Sequence, residues 1–181
     1  MSLDFIFLNM VVLFMKKITH SRLIEVLNYD PLTGIFTWKV SPKHRAGVRK
    51  PGDTAGGLHW KGYVSIWVDG GEYRAHRLAW FYMTGAWPIN QIDHRNGLKA
   101  DNVFDNLREA TNGQNRANSK PNKRKDSLPK GVIRSKDKKK FVAQIHVGKK
   151  NYHLGTFEMP EEAFGAYVRA AKRFHGEFAR F

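Results

Sequence analysis

The sequence predicts an α+β protein with an N-terminal mixed α/β module, a central strand–loop–strand–helix unit, and a C-terminal three-stranded antiparallel sheet with one helix. Short apolar runs separated by turn residues indicate small sheets. One long apolar stripe with helical spacing lies near the C-terminus, and a basic, proline-containing stretch precedes that last module. The predicted segments are an extension (1–18), the N-terminal module (19–90), the central unit (91–118), a basic linker (119–128) and the C-terminal module (129–181).

The composition restricts the partners and the cofactors. The chain has 31 Lys and Arg against 16 Asp and Glu, a net charge of +15, which favours a polyanionic partner such as nucleic acid or an anionic membrane. The absence of cysteine excludes disulfides and thiolate zinc sites. The apolar run at the N-terminus is shorter than the ~20 residues of a membrane span and lacks the features of a signal peptide, so we expect no membrane segment.

The N-terminal module begins with a short helix. Thr19 or Ser21 can cap it, and its apolar face consists of Leu23, Ile24, Val26 and Leu27. The turn residues Asp30-Pro31 and Thr33-Gly34 then lead into a strand at 35–39.

A hairpin and a buried helix follow in the same module. Residues 63–68 and 72–75 flank an Asp-Gly-Gly turn and should pair. Residues 76–83 are apolar on most sides, which predicts a buried helix. We interpret His76, at its start, as a hydrogen-bonded core or interface histidine and not as a ligand.

The central unit has no net charge and lies between basic flanks. A strand is predicted to end at Asp93 and His94, followed by a loop at 102–107, a returning strand at 107–111 and a helix at 112–118. Such a short ββα unit has too small a core to be stable alone. It needs a metal ion or the support of the neighbouring modules.

The C-terminal module alternates regularly. In 141–147 the odd-numbered residues form an apolar face, and Gln144 and His146 point to the other side. A turn at 148–150 and a strand at 152–157 follow, with a first strand predicted at 131–135. Pro160 should open a helix whose apolar stripe consists of Phe164, Tyr167, Val168, Ala171 and Phe174. One sheet face would pack on this helix and the other would stay free.

The spacing of polar residues in the central unit resembles the HNH nucleases, in the subgroup found among phage and intron-encoded homing endonucleases. Asp93 and His94 are followed by Asn106 after twelve positions and by Asn115 after nine more. The preceding stretch "EYRAHRLAWFYMTGAWP" also looks like the lead-in of this family. The resemblance implies a ββα-metal fold and hydrolysis of phosphodiester bonds in DNA.

The resemblance also implies the residue roles. Asp93 and Asn115 would supply oxygen ligands to one divalent cation, Mg²⁺ or a similar ion such as Mn²⁺. His94 would accept a proton from water, since its pKa lies near neutrality. Asn106 would hold the His94 ring in the correct tautomer. The products would carry 5′-phosphate and 3′-hydroxyl ends.

Two other metal sites do not fit the central unit. An EF-hand calcium loop fails because Arg95 occupies a ligand position and no Glu closes the loop. A zinc protease fails because the His-Glu-x-x-His motif is absent. The basic side chains Arg95, Lys99, Arg108 and Arg116 could contact phosphates or could be solvated.

The C-terminal module resembles the ethylene-response type of DNA-binding domain in its "GVIRSK", "KFVAQIHV" and "HLGTFEMPEEAFGAYVRAA" segments. In that family the free sheet face lies in the DNA major groove. The matching positions are Arg134, Lys136, Gln144, His146, Asn151 and His153. Phosphate contacts are expected from Lys138, Lys139, Lys140, Lys149 and Lys150. Most family members carry other residues at several of these places, so a plant-type target sequence is not expected.

The sequence therefore predicts a phage-encoded, metal-dependent HNH endonuclease of the homing type, which acts on double-stranded DNA in the host cytoplasm. No protein partner is indicated. Two alternatives remain: a catalytically inactive DNA-binding regulator, and an RNA-binding protein, which the charge alone permits. The deep groove of RNA excludes strands and disfavours the second alternative.

Overall fold

The computed structural model describes residues 17–41, 49–120 and 128–181. Most of the predicted extension and of the predicted linker lies outside these residues. The described chain forms two compact units. The first contains the described residues up to His94 together with Leu98–Arg108, and the second contains Arg95–Gly97 and the described residues from Glu109 to Phe181. The boundary between the units therefore falls inside the predicted 91–118 segment.

The first unit contains two helices, two small sheets and one strand of a third. Its elements are α1 (His20–Val26), β1 (Leu27–Asp30), β2 (Ile35–Trp38), β3 (Gly57–Leu58), β4 (Val64–Val68), β5 (Gly71–Arg74), α2 (Ala75–Thr84), β6 (Gln91–His94) and a 3₁₀ turn (Phe104–Asn106). β1 and β2 form one antiparallel hairpin, and β3, β4 and β5 form a three-stranded sheet in that order. The predicted hairpin at 63–75 and the predicted helix at 76–83 are confirmed.

The helix α1 is shorter than its apolar face suggested. Thr19 caps it by accepting a hydrogen bond from the backbone of Arg22, as predicted. Leu27, predicted on the helix face, instead begins β1, where it lies opposite Trp38. Strand pairing accounts for the difference, and Leu27 is fully buried in its place on β1.

One hydrophobic core holds the first unit together. Phe36, Ile66 and Leu78 are its large, fully buried side chains from β2, β4 and α2. Burial of each such side chain stabilises the fold by roughly 1.5–3 kcal/mol. Ile92 of β6 and Leu107 also belong to this core. The strand that ends in Asp93 and His94 is thus anchored in the largest apolar cluster among the described residues.

The second unit combines a short helix with a sheet and a longer helix. Its elements are α3 (Asn112–Ala117), β8 (Val132–Arg134), β9 (Phe141–Val147), β10 (Lys150–Phe157), α4 (Pro160–His175) and a 3₁₀ turn (Gly176–Phe178). The strand β7 (Leu107–Ala110) pairs with β6 and begins in the first unit. Thr111 and Gln114 form a capping box that starts α3.

The sheet of the second unit has the order β10–β9–β8 and is antiparallel. One face packs against α4, because Ala143 and Ile145 of β9 are buried with Ala163, Tyr167 and Ala171 of the helix. Pro160 opens α4, as predicted. The α+β fold class is confirmed. Among the described residues no helix has the length and apolar character that crossing a membrane would require.

Candidate active site

Asp93 and His94 end the strand β6 in a buried position. Each has an exposed fraction of 4%. Adjacent residues on a strand point to opposite faces, so burial of both requires protein on each side of β6. A buried carboxylate is costly unless it is paired, and a buried imidazole is pushed toward its neutral form. The partners of these two side chains therefore determine what they can do.

Arg108 of β7 is the partner of Asp93. Its Nε donates a hydrogen bond of 3.0 Å to Oδ2 of Asp93, and its Nη2 lies 2.9 Å from the same oxygen. Both side chains are nearly inaccessible, with exposed fractions of 7% and 5%. From the sequence, Arg108 could either contact a phosphate or be solvated. The structure places it instead inside the fold, beside the predicted metal ligand.

Asn102 is the hydrogen-bond partner of His94. The Nε2 of His94 lies 3.5 Å from Oδ1 of Asn102, at the outer limit of hydrogen-bond distance. The Nδ2 of Asn102 donates to the carbonyl of Ala100 at 3.1 Å, and the Tyr29 hydroxyl donates to the Asn102 backbone carbonyl at 2.6 Å. These bonds orient the amide so that its oxygen faces His94.

The orientation of Asn102 selects a tautomer of His94. An amide oxygen only accepts hydrogen bonds, so the Nε2 of His94 carries the proton in this arrangement. The lone pair then resides on Nδ1. Burial lowers the pKa of His94 from its usual value, while the contact with Asn102 opposes this effect. The imidazole is therefore neutral at neutral pH.

Asn106, predicted to orient His94, lies in the 3₁₀ turn before β7. Its Nδ2 donates a hydrogen bond of 2.9 Å to the backbone carbonyl of Asp101. Because Asp101 precedes Asn102, this bond restrains the loop that presents Asn102 to His94. Sequence reasoning missed Asn102, although its amide eight positions after His94 in a polar loop was the available signal.

The ring of His76 packs against the ring of His94. The two ring centroids are 5.0 Å apart in an edge-to-face arrangement, and His76 is 7% exposed. Burial, and to a lesser degree the neighbouring His94, lowers the pKa of His76 to about 3. His76 is a core residue, as predicted, but it is not the fully hydrogen-bonded histidine that was expected, since its Nδ1 is buried without a hydrogen-bond partner among the described residues.

Lys99 lies over the ring of Tyr63, and the Tyr63 ring in turn lies near the rings of His94 and His76. The ring of Tyr63 lies 6.1 Å from the ring of His94 and 5.1 Å from that of His76. The Nζ of Lys99 sits 4.9 Å from the Tyr63 ring centroid, and it also donates to the carbonyl of Lys61. Lys99 is among the groups that lower the pKa of His94. A cation there would attract a phosphate.

Asn115, the second predicted metal ligand, lies in α3 of the second unit. A carboxylate and an amide oxygen are ligands that suit a hard divalent cation, which also keeps several waters. No group of three or more His, Asp or Glu among the described residues is arranged to hold a metal ion. The Asp93 carboxylate and the Asn115 amide each offer an oxygen of the kind that such an ion takes.

Four of the predicted DNA-binding residues share one sheet face in the second unit. Gln144 lies opposite His153 and His146 lies opposite Asn151 in the pairing of β9 with β10. The Nδ2 of Asn151 donates a hydrogen bond of 2.8 Å to Oε1 of Gln144. These side chains alternate with Ala143 and Ile145, which face α4. The face opposite α4 therefore carries these four polar side chains beside the apolar Ile133 and Val142, which lie opposite each other there.

The other three predicted DNA-binding residues lie elsewhere in this sheet. Arg134 ends β8 opposite Phe141, and its guanidinium lies 5.1 Å from the Phe141 ring, on the α4 side. Lys136 follows the strand and lies in a turn. Lys150 begins β10 two residues before Tyr152, whose ring stacks on Phe174 of α4. The first strand was predicted to extend to Ser135, and its end at Arg134 accounts for the position of Lys136.

Comparison with known proteins identifies the family of the segment that contains the candidate active-site residues. The HNH endonuclease family matches residues 73–117, which include His76, Asp93, His94 and Asn115. Such a domain implies a nuclease with DNA as substrate, and HNH nucleases typically use divalent metals. Protein 3.8 of Escherichia phage T7 is 30% identical over 109 residues, which cover 60% of this chain and 89% of that protein. No solved structure matches the chain. The chain belongs to the family of phage T7 Protein 3.8 and contains an HNH endonuclease domain at residues 73–117.

Proposed function

We propose that the protein is a metal-dependent DNA endonuclease of the homing type that nicks or cuts double-stranded DNA by hydrolysis. The observation that carries this proposal is a neutral, buried His94 held by Asn102 directly after Asp93, inside the segment that matches the HNH endonucleases. The phage relative supports a phage-encoded protein that acts in the host cytoplasm.

In the proposed reaction His94 is the general base. Its Nδ1 takes a proton from a water molecule, and the water oxygen forms a bond to phosphorus. The bond from phosphorus to the 3′-oxygen breaks, which leaves a 5′-phosphate and a 3′-hydroxyl once the 3′-oxygen is protonated. A positioned base of this kind contributes typically ~10²–10⁴-fold to the rate.

Two asparagines, Asn102 and Asn106, help to position this base. Asn102 accepts the Nε2 proton of His94 and so keeps the lone pair on Nδ1. Asn106 restrains the loop through the carbonyl of Asp101, one residue before Asn102. We therefore propose that Asn102 orients His94 together with Asn106, the residue predicted for this role, which also restrains the loop.

Asp93 and Asn115 are the proposed ligands of the divalent cation, with Mg²⁺ as the expected ion and Mn²⁺ as a substitute. When bound, the cation stabilises the negative charge that develops on the phosphate and the leaving oxygen. Arg108 holds Asp93 in place by the hydrogen bond from its Nε to Oδ2 and by the ion pair with the same oxygen. The carboxylate thus has a fixed position before any ion binds.

The polar sheet face of the second unit is the proposed site of DNA recognition. Strands can enter the major groove, and amide side chains can bond to base edges there. Gln144, His146, Asn151 and His153 would read bases in the manner of an ethylene-response domain. Phosphate contacts are proposed for the exposed Lys138, Lys139, Lys149 and Lys150. Arg134 and Lys136, at the end of β8, would lie at the edge of the recognition face. Lys140 was also predicted to contact a phosphate. Its Nζ instead lies 2.6 Å from Oε1 of Glu158 and pairs with that carboxylate.

One observation favours a second candidate function, a catalytically inactive DNA-binding regulator. The ion pair with Arg108 already neutralises the charge of Asp93. If this pair excludes a metal, the protein would bind DNA without cutting it. The two candidate functions predict different results in one simple assay.

The assay is nicking of supercoiled plasmid with Mg²⁺, with Mn²⁺ and with EDTA. The nuclease proposal expects open-circular or linear DNA with either metal and none with EDTA. The regulator proposal expects a gel shift without any change in plasmid topology. The ends of the product distinguish the proposed chemistry, since a ligase seals only a 5′-phosphate next to a 3′-hydroxyl.

A further inference from the structure

The last six residues of the chain, 176–181, are called the C-terminal tail below. Phe178 in this tail is 7% exposed and forms a small hydrophobic cluster with Ala110 and Ala117. Ala117 is the last residue of α3, and Ala110 is the last residue of β7. The tail therefore supplies the apolar support for the helix that carries Asn115.

Lys130 ties the same end of α3 to the tail. Its Nζ donates to the carbonyls of Ala117, Ser119 and Arg180 at 2.5, 2.9 and 3.2 Å. The final carbonyls of a helix have no partner within the helix, and a cation near them is favourable. One ammonium group thus satisfies the end of α3 and joins it to the tail.

The tail also contacts the turn that follows His94. The Nη1 of Arg95 lies 2.7 Å from Oε2 of Glu177. Gly97 has a φ of +67°, and a Cβ at that position would lie 1.6 Å from Nη1 of Arg180. The left-handed backbone conformation therefore favours glycine at position 97, and the Arg180 guanidinium lies beside it.

A cleft separates α3 from the sheet of the second unit. It has a volume of about 580 Å³ and is lined by Thr111, Gly113 and Gln114 on one side and by Gln144 and His146 on the other. Ala117 and Lys130 also line this cleft. The tail and Lys130 hold α3 at its C-terminal end.

We propose that the C-terminal tail, together with Lys130, is a positioning element of the nuclease, which fixes α3 and hence the metal ligand Asn115. This inference rests on the proposed function. Lys130 and Phe178 contact no reacting atom and act through α3. The proposed ligand Asn115 and the C-terminal module then belong to one structural unit, so the module supports the catalytic apparatus as well as binding DNA.

The test uses Lys130→Met and Phe178→Ala in the full chain. Lys172→Met and Leu32→Ala are matched controls, since both side chains are exposed and lie outside the α3 contacts. Two readouts need no nuclease activity: hydrogen exchange of the Asn115 and Asn118 amides, which bond to Thr111 and Gln114, and Mn²⁺ affinity from water proton relaxation. A melting curve identifies any variant that fails to fold, and Lys130→Arg tests rescue.

We expect amide exchange in α3 to become at least about 10-fold faster in both variants. The apparent Mn²⁺ affinity should fall by about 10-fold or more, with partial recovery in Lys130→Arg and no change in the controls. Wild-type Mn²⁺ affinity in folded Lys130→Met would overturn the inference, as would a wild-type protein that binds no Mn²⁺. A wild-type protein that binds Mn²⁺ without nicking DNA would refute the proposed function alone.

Discussion

Arg108 and Asp93 form a buried ion pair in which two guanidinium nitrogens approach one carboxylate oxygen at 3.0 and 2.9 Å. Breaking a buried pair leaves the remaining charge without compensation, which costs far more than the loss of a surface pair. The pair therefore links the stability of the first unit to the position of the proposed metal ligand.

Arg108→Met should destabilise the protein by about 3–5 kcal/mol, because the buried carboxylate of Asp93 would lose the positive charge that compensates it. Urea denaturation monitored by tryptophan fluorescence measures this loss. Arg22→Met is the matched control, since Arg22 pairs with Asp69 at the surface, and it should have a much smaller effect. Equal losses in the two variants would show that the Arg108 pair has no special role.

Asn102→Ala should reduce the nicking rate by about 10- to 100-fold, in the range of lost outer-shell hydrogen bonds. The imidazole of His94 would then lose the acceptor that keeps its proton on Nε2, while DNA affinity should not change. Single-turnover nicking and gel shifts measure the two quantities. The exposed Asn28 provides the control Asn28→Ala, and an unchanged rate for Asn102→Ala would remove Asn102 from the site.

The sequence predicted Asp93 and His94 but not the residues that hold them. The pattern of apolar residues defined β6, β9 and α4, because burial on one face has a regular period. Arg108 gave no such signal, since an arginine in a short strand is usually exposed and its partner lies fifteen positions away. Arg134 was predicted on the free sheet face, whereas its place opposite Phe141 depends on the register, which the sequence alone does not specify.

The stability of the protein should fall as the pH decreases below about 6.5, in part because of His76. Burial lowers the pKa of His76 from 6.5 to about 3 in the folded state, so the unfolded chain binds the proton first. Between these pKa values His76 costs about 1.4 kcal/mol per pH unit. The contribution is constant above pH 6.5, where His76 is neutral in both states.

His76→Leu removes this group without introducing a charge. Urea denaturation at pH 7 and pH 5 should therefore show a shallower pH dependence in the variant than in wild type. His94, whose pKa is also lowered, retains a similar contribution in both proteins. The same pH dependence in the two proteins would contradict the buried, neutral state of His76.

Two kinds of DNA contact should respond differently to salt. Replacing both Lys138 and Lys139 by alanine should flatten the dependence of log affinity on log salt by up to about one unit per lost phosphate contact. Asn151→Ala should instead weaken binding to the preferred sequence by about 1–3 kcal/mol for a lost base contact, with little change in the slope. Fluorescence anisotropy at several salt concentrations measures both, with Lys172→Ala as the control. A wild-type salt slope in the double variant would show that these lysines are merely solvated.

The most direct measurement is nicking of supercoiled plasmid by wild type and His94→Ala at matched Mg²⁺. The proposed base predicts a rate lower by ~10²–10⁴-fold in His94→Ala, with DNA affinity and Mn²⁺ binding retained, because Asp93 and Asn115 are the proposed ligands. His59→Ala in the same unit should nick like wild type. Higher Mg²⁺ should not restore His94→Ala, since the missing group is a proton acceptor. Equal nicking by wild type and His94→Ala would contradict the account.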